Sequence, residues 1–286
     1  MSKKLNKVFE KAERMIIDDN TKIVIMSDSH RGAGDNRDNF LKNREIFQTS
    51  LFYYYKRGFT YIELGDGDDM WEVENYKDII ETHLEVFQQL KKFHDSNRLI
   101  MIYGNHDIVK KYPQVLKENF DEYQGEPLLK NLSVKEALIL NYQNHDLFLV
   151  HGHQVDFLNS SLWRLSRFLV RNVWHSLEEI GINDLTSSAK NYGVTKKTEK
   201  KLQKWSDKNQ KILIAGHTHR PSFPEVGESL YFNDGSAIHP DGITCLEIEN
   251  GQITLVKWEL HVNEEEKIPI KRKVLAGKES IIKFFK

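Results

Sequence analysis

The chain has 286 residues, of which 39% are hydrophobic and 29% are charged. These values predict one large domain, or a domain with an insertion, that buries a sizeable core. The formal net charge of -1 excludes a global positive field of the kind that nucleic-acid binding uses. The single cysteine, Cys245, excludes a disulfide framework and a multi-thiolate metal site, and it favours a reducing compartment.

Nothing in the sequence predicts a membrane-spanning segment, because no run of about eighteen apolar residues is present. The charged N-terminus lacks the apolar stretch of a secretory signal, and its apolar residues recur at helical spacing. We therefore predict a cytoplasmic protein that begins with a helix docked on the domain. The last segment, about 262–286, is predicted as a basic tail, with peripheral contact to a membrane surface left open.

The first half of the chain alternates strand-like and helix-like segments. Residues 22–30, 60–69 and 98–107 are apolar runs that end in polar loops, which is typical of buried strands. Helical patterns occupy 36–57 and 76–95. The later strand-like segments follow one another along the chain at 136–141, 146–153, 211–219, 229–236, 243–249 and 253–258. This order predicts an α+β or α/β fold with a mixed sheet, or two stacked sheets, between helices.

One long section interrupts the strands. From about 155 to 210 the sequence shows only helix-compatible patterns, in which aromatic residues such as Trp163 and Trp174 alternate with arginines. We predict a helical cap inserted into a single domain that spans residues 1–286.

Five predicted strands run into loops that carry Asp, Asn or His at the carboxyl end of the strand. Such ends are where sheet proteins place ligand sites, so we expect the five loops to converge in one cleft. Taken singly, Asp28 could satisfy turn amides and Asp66 could cap a helix. The combination of five loops predicts a metal site instead. The candidate ligands are Asp28, His30, Asp66, Asn105, His151, His217 and His219.

The types and number of these donors narrow the choice of metal ion and the number of ions. Oxygen and imidazole donors without thiolate suit manganese best, with iron, zinc or cobalt as alternatives. Seven donors are too many for one tetrahedral ion and fit two ions bridged by a carboxylate. Two ions about 3.5–4 Å apart clamp a phosphoryl group and lower the pKa of a shared water.

The loop motifs resemble those of the calcineurin-like metallophosphoesterases, in the family order and over about residues 22–260. The matching stretches are "DSH" (28–30), "GDGDD" (65–69), "GNHD" (104–107), "HGH" (151–153) and "GHTHRP" (216–221). The resemblance implies a four-layer α/β/β/α sandwich of two mixed sheets flanked by helices, with a dinuclear centre at one edge. It also implies that a hydroxide shared by the two ions attacks phosphorus in line.

The same resemblance assigns the ligands to two ions. The first ion would be held by Asp28, His30 and His219. The second would be held by Asn105, His151 and His217. Asp66 would bridge both ions together with the shared water or hydroxide.

Four further residues gain roles from the family pattern. His106 would contact the phosphate and protonate the leaving oxygen, and Asp107 would orient it. Asp69 is expected to support the site without binding metal. For His153 three roles stay open: an extra ligand, a substrate contact or a supporting residue.

Within the family, the predicted cap, "DDMWE" (68–72) and "YFNDGSAIHPDG" (231–242) resemble the UDP-2,3-diacylglucosamine pyrophosphohydrolase branch. Two positions depart from that branch, which carries Arg in place of His106 and Asp in place of His153. The resemblance implies a phosphodiester or pyrophosphate substrate such as a UDP-sugar-lipid. The cap arginines would then meet phosphates, unless the cap is a plain amphipathic helix pair. These candidates are Arg164, Arg167 and Arg171.

Three other functions are compatible with this fold. A phosphoprotein Ser/Thr phosphatase or a small phosphomonoesterase would use the same metal motifs on a different substrate. A non-catalytic scaffold is disfavoured because no ligand position is missing. In each catalytic case the expected partner is a phosphorylated small molecule or a lipid-linked or protein-linked phosphate, without specific nucleic-acid binding.

Overall fold

The computed structural model describes residues 3–156, 192–261 and 269–285, and these form two large mixed sheets with helices on their outer sides. The strands are β1 (Glu13–Ile17), β2 (Ile23–Met26), β3 (Thr60–Leu64), β4 (Leu99–Ile102), β5 (Glu122–Tyr123), β6 (Glu126–Pro127), β7 (Val134–Lys135), β8 (Ala137–Tyr142), β9 (His145–Val150), β10 (Ile212–Ala215), β11 (Tyr231–Asn233), β12 (Ile243–Glu249), β13 (Gln252–Leu260) and β14 (Ile270–Ser280). The predicted architecture of two mixed sheets between helices is confirmed.

The helices connect these strands and cover the sheets. The α-helices are α1 (Lys3–Lys11), α2 (Arg44–Lys56), α3 (Tyr76–Thr82), α4 (Leu84–Asp95), α5 (Pro113–Phe120) and α6 (Tyr192–Asn209). Short 3-10 helices occupy Asn39–Asn43, Ile108–Lys111, His153–Val155 and Ile281–Phe285. No helix among the described residues is both long and apolar enough to cross a bilayer.

The seven-stranded sheet has the order β14-β13-β12-β2-β3-β4-β7. Its strands β2, β3, β4 and β7 are parallel, whereas β12, β13 and β14 pair antiparallel. The five-stranded sheet has the order β1-β8-β9-β10-β11, with β9, β10 and β11 parallel. The carboxyl ends of β2, β3 and β4 in one sheet, and of β9 and β10 in the other, carry the five predicted ligand loops.

Three apolar clusters separate the four layers. One lies between the larger sheet and α2 to α5 and includes Phe47 and Phe87. A second, with Ile25 and Leu149, lies between the two sheets. The third packs α1 and α6 on the smaller sheet through residues such as Trp205. Full burial of each such side chain stabilises the fold by roughly 1.5–3 kcal/mol.

Strand β2 shows why the sequence produces this layering. All four of its residues are buried. Successive side chains of a strand point to opposite faces, so Ile23 and Ile25 enter the inter-sheet cluster while Val24 and Met26 enter the helix-covered cluster. A strand with apolar residues at every position is therefore covered on both faces, as in parallel sheets generally.

Some elements differ from those predicted. Strand β1, at the edge of the smaller sheet, was not predicted, because its apolar run is only three residues long, at 15–17. The segment predicted as a basic tail forms β14 and the 3-10 helix at Ile281–Phe285, and Ile281 and Phe284 are buried between the sheets. Of the predicted cap, α6 is described; Trp163, Trp174 and the three cap arginines lie outside the described residues.

Candidate metal centre

The structure gathers the predicted ligands into two clusters. Asp28, His30 and His219 present ligand atoms that all lie within 4.8 Å of one another. The second cluster, under the same limit, comprises Asp66, His151 and His217. The seventh predicted ligand, Asn105, is buried next to His106, whose backbone N–H donates to Asp66 Oδ1 over 2.7 Å.

An unusual backbone places these side chains. Five of the seven predicted ligands have positive φ, which few non-glycine residues adopt. The values are 52° for Asp28, 47° for His30, 50° for Asp66, 66° for His217 and 56° for His219. Each such conformation costs roughly 1–2 kcal/mol relative to the right-handed region. Strain of this kind persists where surrounding structure enforces it, and it concentrates at functional sites.

The loops also approach each other closely. Gly216 lies beside Asp28, and a Cβ at Gly216 would come within 2.5 Å of Asp28 Oδ2 and within 2.2 Å of Ser27 Oγ. Only a residue without a side chain fits there. The glycine that opens the "GHTH" motif therefore lets its two histidines reach the first strand loop.

Asp28 is held so that one oxygen faces the cluster. Its Oδ2 accepts hydrogen bonds from Ser27 Oγ at 2.5 Å and from the backbone N–H of His217 at 2.8 Å. Its Oδ1 lies 3.1 Å from His219 Nε2 and 3.6 Å from His30 Nε2. Burial acts to raise the pKa of Asp28, but the neighbouring His219 and His151 hold that pKa well below its usual range.

Asp66 belongs to the second cluster and also faces the first. Its Oδ2 is 3.0 Å from His151 Nε2 and 3.9 Å from His30 Nε2, so the same oxygen faces one ligand of each cluster. Burial opposes ionisation of Asp66, yet His151 and His106 lower its pKa far below the ordinary value. A carboxylate in this position is suited to bridge two ions.

The buried donors fit divalent ions. Within the described part of the chain, Asn105 Oδ1 and His217 Nε2 are buried and lack a hydrogen-bond partner, whereas Asp28 Oδ1 and His151 Nε2 face only the imidazole and carboxylate of other candidate ligands. Leaving such an atom unsatisfied costs about 1–3 kcal/mol. His151 Nδ1 donates to the carbonyl of Leu64 over 2.9 Å, which directs Nε2 towards Asp66. This donor set therefore fits divalent cations.

The carboxylates of Asp66 and Asp28 favour a positive charge at His151, in the second cluster. Burial opposes protonation of His151, but Asp66 and Asp28 raise the pKa of His151 to about 9. In the absence of another cation, a proton thus occupies this cluster at neutral pH. Binding of a metal ion would displace it.

His106 is held by Asp69 and Trp71. Its Nδ1–H donates to Asp69 Oδ1 over 2.9 Å, and the indole of Trp71 stacks on its ring at 4.2 Å with an interplanar angle of 18°. Although burial lowers it, Asp69 and Asp66 raise the pKa of His106 above its ordinary value. Asp69 Oδ2 also lies 3.5 Å from His30 Nδ1. Asp69 thus connects the candidate ligand His30 with His106, and ligand atoms of these three residues also lie within 4.8 Å of one another.

Asp107 does not have the role that the sequence predicted for it. Its carboxylate accepts from Gly104 N at 2.7 Å, from Gly67 N at 3.2 Å and from Lys110 Nζ at 2.8 Å. The residue that orients His106 is Asp69, because the loop after β4 turns Asp107 into the protein interior. The sequence motifs had indicated Asp107 for this role and only a supporting position for Asp69.

His153 stays outside both clusters. Its ring is buried, with its centroid 5.6 Å from that of His151 and 6.4 Å from that of His217. Burial, followed by the two neighbouring histidines, holds the pKa of His153 well below its usual range. A neutral ring beside the second cluster is compatible with a supporting or substrate-contacting role.

Glu72 also belongs to this site, although its position in the sequence did not indicate a role for it. It follows Trp71, and its backbone N–H donates to Asp69 Oδ1 over 3.2 Å. Burial and the nearby Asp69 carboxylate raise the pKa of Glu72 from 4.5 to about 7. The "DDMWE" stretch alone gave no sign of this shift, because burial is a property of the folded loop.

The raised pKa of Glu72 predicts a pH-dependent stability. Between about pH 4.5 and about pH 7, the unfolded chain has released this proton while the folded protein retains it. This group therefore makes the metal-free protein less stable as pH rises through that window. We expect Glu72→Gln to gain stability over wild type as pH rises from 4.5 to 7, with no difference below that range. Urea unfolding in the presence of a chelator, at several pH values, measures the free energy of unfolding of both proteins.

An exposed glutamate in α3 provides the control for this experiment. Glu81→Gln should leave the pH profile of unfolding unchanged, because its side chain is exposed in both states. Identical pH profiles for wild type and Glu72→Gln would contradict the assignment to Glu72.

Metal-dependent hydrolysis of phosphoesters is the class of reaction that this fold and this donor set define. The chain belongs to the calcineurin-like phosphoesterase superfamily, whose domain model matches residues 21–251. It is thus a hydrolase acting on phosphoesters. No curated protein matches the chain.

Solved structures resemble this chain at low sequence identity and with TM-scores below 0.5. A conserved uncharacterized protein of Streptococcus pneumoniae TIGR4, described as a predicted phosphoesterase, is 16% identical with a TM-score of 0.35, over 89% of this chain and 97% of that one. An archaeal phosphodiesterase is 18% identical with a TM-score of 0.36, over 89% and 100% of the chains. The cold-active protein-tyrosine phosphatase of Shewanella sp. is 14% identical with a TM-score of 0.42, over 92% and 83%.

Proposed function

We propose that this hydrolase cleaves a phosphodiester or pyrophosphate bond with the help of two divalent ions. The observation that carries the proposal is the pair of three-residue clusters, of which the second contains Asp66, whose carboxylate also faces His30 of the first. A histidine held by Asp69 lies beside them. Asp28, His30 and His219 would hold one ion, and Asn105, His151 and His217 the other, with Asp66 shared. Manganese suits these oxygen and imidazole donors best, ahead of iron, zinc or cobalt.

When bound, the ions would neutralise phosphate charge and make a water molecule a nucleophile near neutral pH. The side chains of the protein supply the remaining functions. Asp69 raises the pKa of His106 and so favours its protonated form against the effect of burial, and the indole of Trp71 stacks on its ring. With Nδ1 bonded to Asp69, Nε2–H is the group available to donate a proton to the leaving oxygen.

For the substrate, we propose a nucleotide-diphosphate conjugate of the UDP-sugar-lipid type. The sequence likeness to the pyrophosphohydrolase branch includes 68–72 and 231–242, and both segments adjoin the clusters. Trp71 stacks on His106, and Asn233 Nδ2 donates to the carbonyl of Gly216 over 2.8 Å. Arg164, Arg167 and Arg171 are proposed to meet the substrate phosphates. The buried free thiol of Cys245 supports a cytoplasmic location as part of this proposal.

Metal analysis combined with a phosphoester panel tests the proposal. We expect the purified protein to bind two equivalents of Mn²⁺ after chelation and reloading. Hydrolysis of a UDP-sugar pyrophosphate and of bis(p-nitrophenyl) phosphate should exceed that of p-nitrophenyl phosphate and of a phosphoserine peptide. The opposite order of rates would favour a phosphomonoesterase or a Ser/Thr phosphatase. Failure to bind metal or to cleave any ester would contradict the catalytic assignment.

A further inference from the structure

Five charged side chains form a buried ionic network beneath the candidate metal centre. Arg31, Glu63, Asp68, Asp107 and Lys110 are each at most 1% exposed. We refer to these five residues as the buried ionic network. Buried charges normally require pairing. The contacts of each member show whether the network only stabilises the fold or also supports the metal centre.

Arg31 binds two carboxylates. Its Nη1 and Nη2 donate to the two oxygens of Glu63 at 2.8 and 3.0 Å, and its Nε donates to Asp68 Oδ1 at 2.7 Å. This fork-like pairing is specific to a guanidinium, because its planar donors match carboxylate geometry.

Lys110 lies at the centre of three carboxylates. Its Nζ is 2.8 Å from Asp107 Oδ2, 2.8 Å from Asp68 Oδ2 and 3.4 Å from Glu63 Oε1. Asp68 and Glu63 thereby contact both cations. The five residues are one connected set, in which no pair is separate from the rest.

Members of the network are attached to the loops that carry candidate ligands. Arg31 directly follows His30, Asp68 is two residues after Asp66, and Asp107 is two residues after Asn105. The network therefore connects the loops after β2, β3 and β4 just beneath the point where their ligands converge.

The backbone of the second loop rests on the network. A Cβ at Gly67 would lie 2.1 Å from Glu63 Oε1 and 2.6 Å from Arg31 Nη2, so no side chain fits between them. The backbone N–H groups of Gly67 and Gly104 both donate to Asp107. The ion pairs therefore fix the positions of these two ligand loops relative to each other.

A hydrophobic core does not require such a network. Arg31 and Lys110 lie near the rings of Phe87 and Phe120, at 5.3 and 6.0 Å from the centroids, so the network borders the apolar cluster between the larger sheet and its helices. Apolar replacements of buried ion pairs often leave stability unchanged or raise it. Stability alone therefore does not account for five buried charges, whereas fixed spacing of the ligand loops does.

We propose that Arg31 and Lys110 are positioning residues that set the spacing of the three ligand loops and thereby the affinity of the centre for its ions. This inference rests on the proposed function, because it concerns the same metal centre. Partners one layer away from metal ligands typically change metal affinity by about 10–100-fold.

The test compares two variants with a matched control. Lys110→Met combined with Asp68→Asn removes one charge of each sign, and Arg31→Lys keeps the charge but loses the forked pairing. The control is Arg272→Met combined with Glu247→Gln, which removes an ion pair outside the network. Glu247 lies on β12 opposite Val24, near the start of β2. Calorimetric titration of each metal-free protein with MnCl₂ measures affinity, and thermal melting followed by circular dichroism measures folding.

We expect both network variants to bind at least one Mn²⁺ about 10–100-fold more weakly than wild type. The control should bind Mn²⁺ as wild type does, even where its melting temperature falls. If the double variant does not fold, Arg31→Lys decides the outcome alone. Wild-type Mn²⁺ affinity in folded network variants would overturn the inference. Absence of Mn²⁺ binding by wild type would instead overturn the proposed function, and this inference with it.

Discussion

Replacing Asp66 with Asn is expected to remove the bound metal and with it nearly all hydrolysis. The substitution keeps an oxygen that can accept from the backbone of His106 but removes the charge facing His30 and His151. Because changes one layer outside the ligands already cost about 10–100-fold in affinity, loss of a shared ligand should exceed roughly 100-fold. Metal content by atomic emission and Mn²⁺ titration measure the effect.

A buried carboxylate elsewhere in the protein supplies the control. Asp38 Oδ2 lies 2.8 Å from His83 Nε2, and both side chains are fully buried outside the two clusters. Asp38→Asn therefore removes a comparable Asp–His contact and should leave the Mn²⁺ stoichiometry unchanged. Full metal loading of Asp66→Asn would contradict the bridging position proposed for Asp66.

His106→Ala is expected to retain both metal ions and to lose about 10²–10⁴-fold in turnover. Residue 106 contacts Asp66 through its backbone N–H, which alanine keeps, whereas the imidazole contacts Asp69 and Trp71. The loss should be larger for esters with a poor leaving group, such as an alkyl phosphodiester, than for p-nitrophenyl esters. Single-turnover rates on both substrates, with metal content measured in parallel, provide the comparison.

A partly buried histidine in α4, outside both clusters, serves as the control for that substitution. His94→Ala removes an imidazole that contacts the carbonyl of Lys130 and should not change turnover. Metal loss in His106→Ala would show that His106 is a ligand. Equal losses on both leaving groups would contradict its role as a proton donor.

The sequence allowed the larger part of the fold and of the site to be predicted. Apolar runs such as 22–26 identify strands covered on both faces, and the donor that follows each run lies at a strand end where ligands converge. Spacing within one loop is local information. Asp28 with His30, and His217 with His219, could therefore be recognised as pairs before any contact between loops was known.

What could not be predicted depends on contacts between distant segments. Asp69 and Asp107 are both acids near His106 in the motifs, and only the path of the backbone decides which of them contacts its ring. The buried ionic network joins Arg31, Glu63 and Lys110, which are 32 and 47 positions apart, and each is unremarkable by itself. Strand β14 was missed because an exposed edge strand rich in lysine has little apolar alternation.

The left-handed backbone at five ligand positions also bears on how such a site would decay. Glycine and asparagine adopt this conformation at the lowest cost. If metal binding ceased to be under selection, substitutions to Gly or Asn at Asp28, His30, Asp66, His217 and His219 would stabilise the fold. None of these five positions has relaxed in that way. In this chain, each of the five positions keeps an aspartate or a histidine, which can bind a cation, in place of glycine, which adopts the left-handed conformation at lower cost.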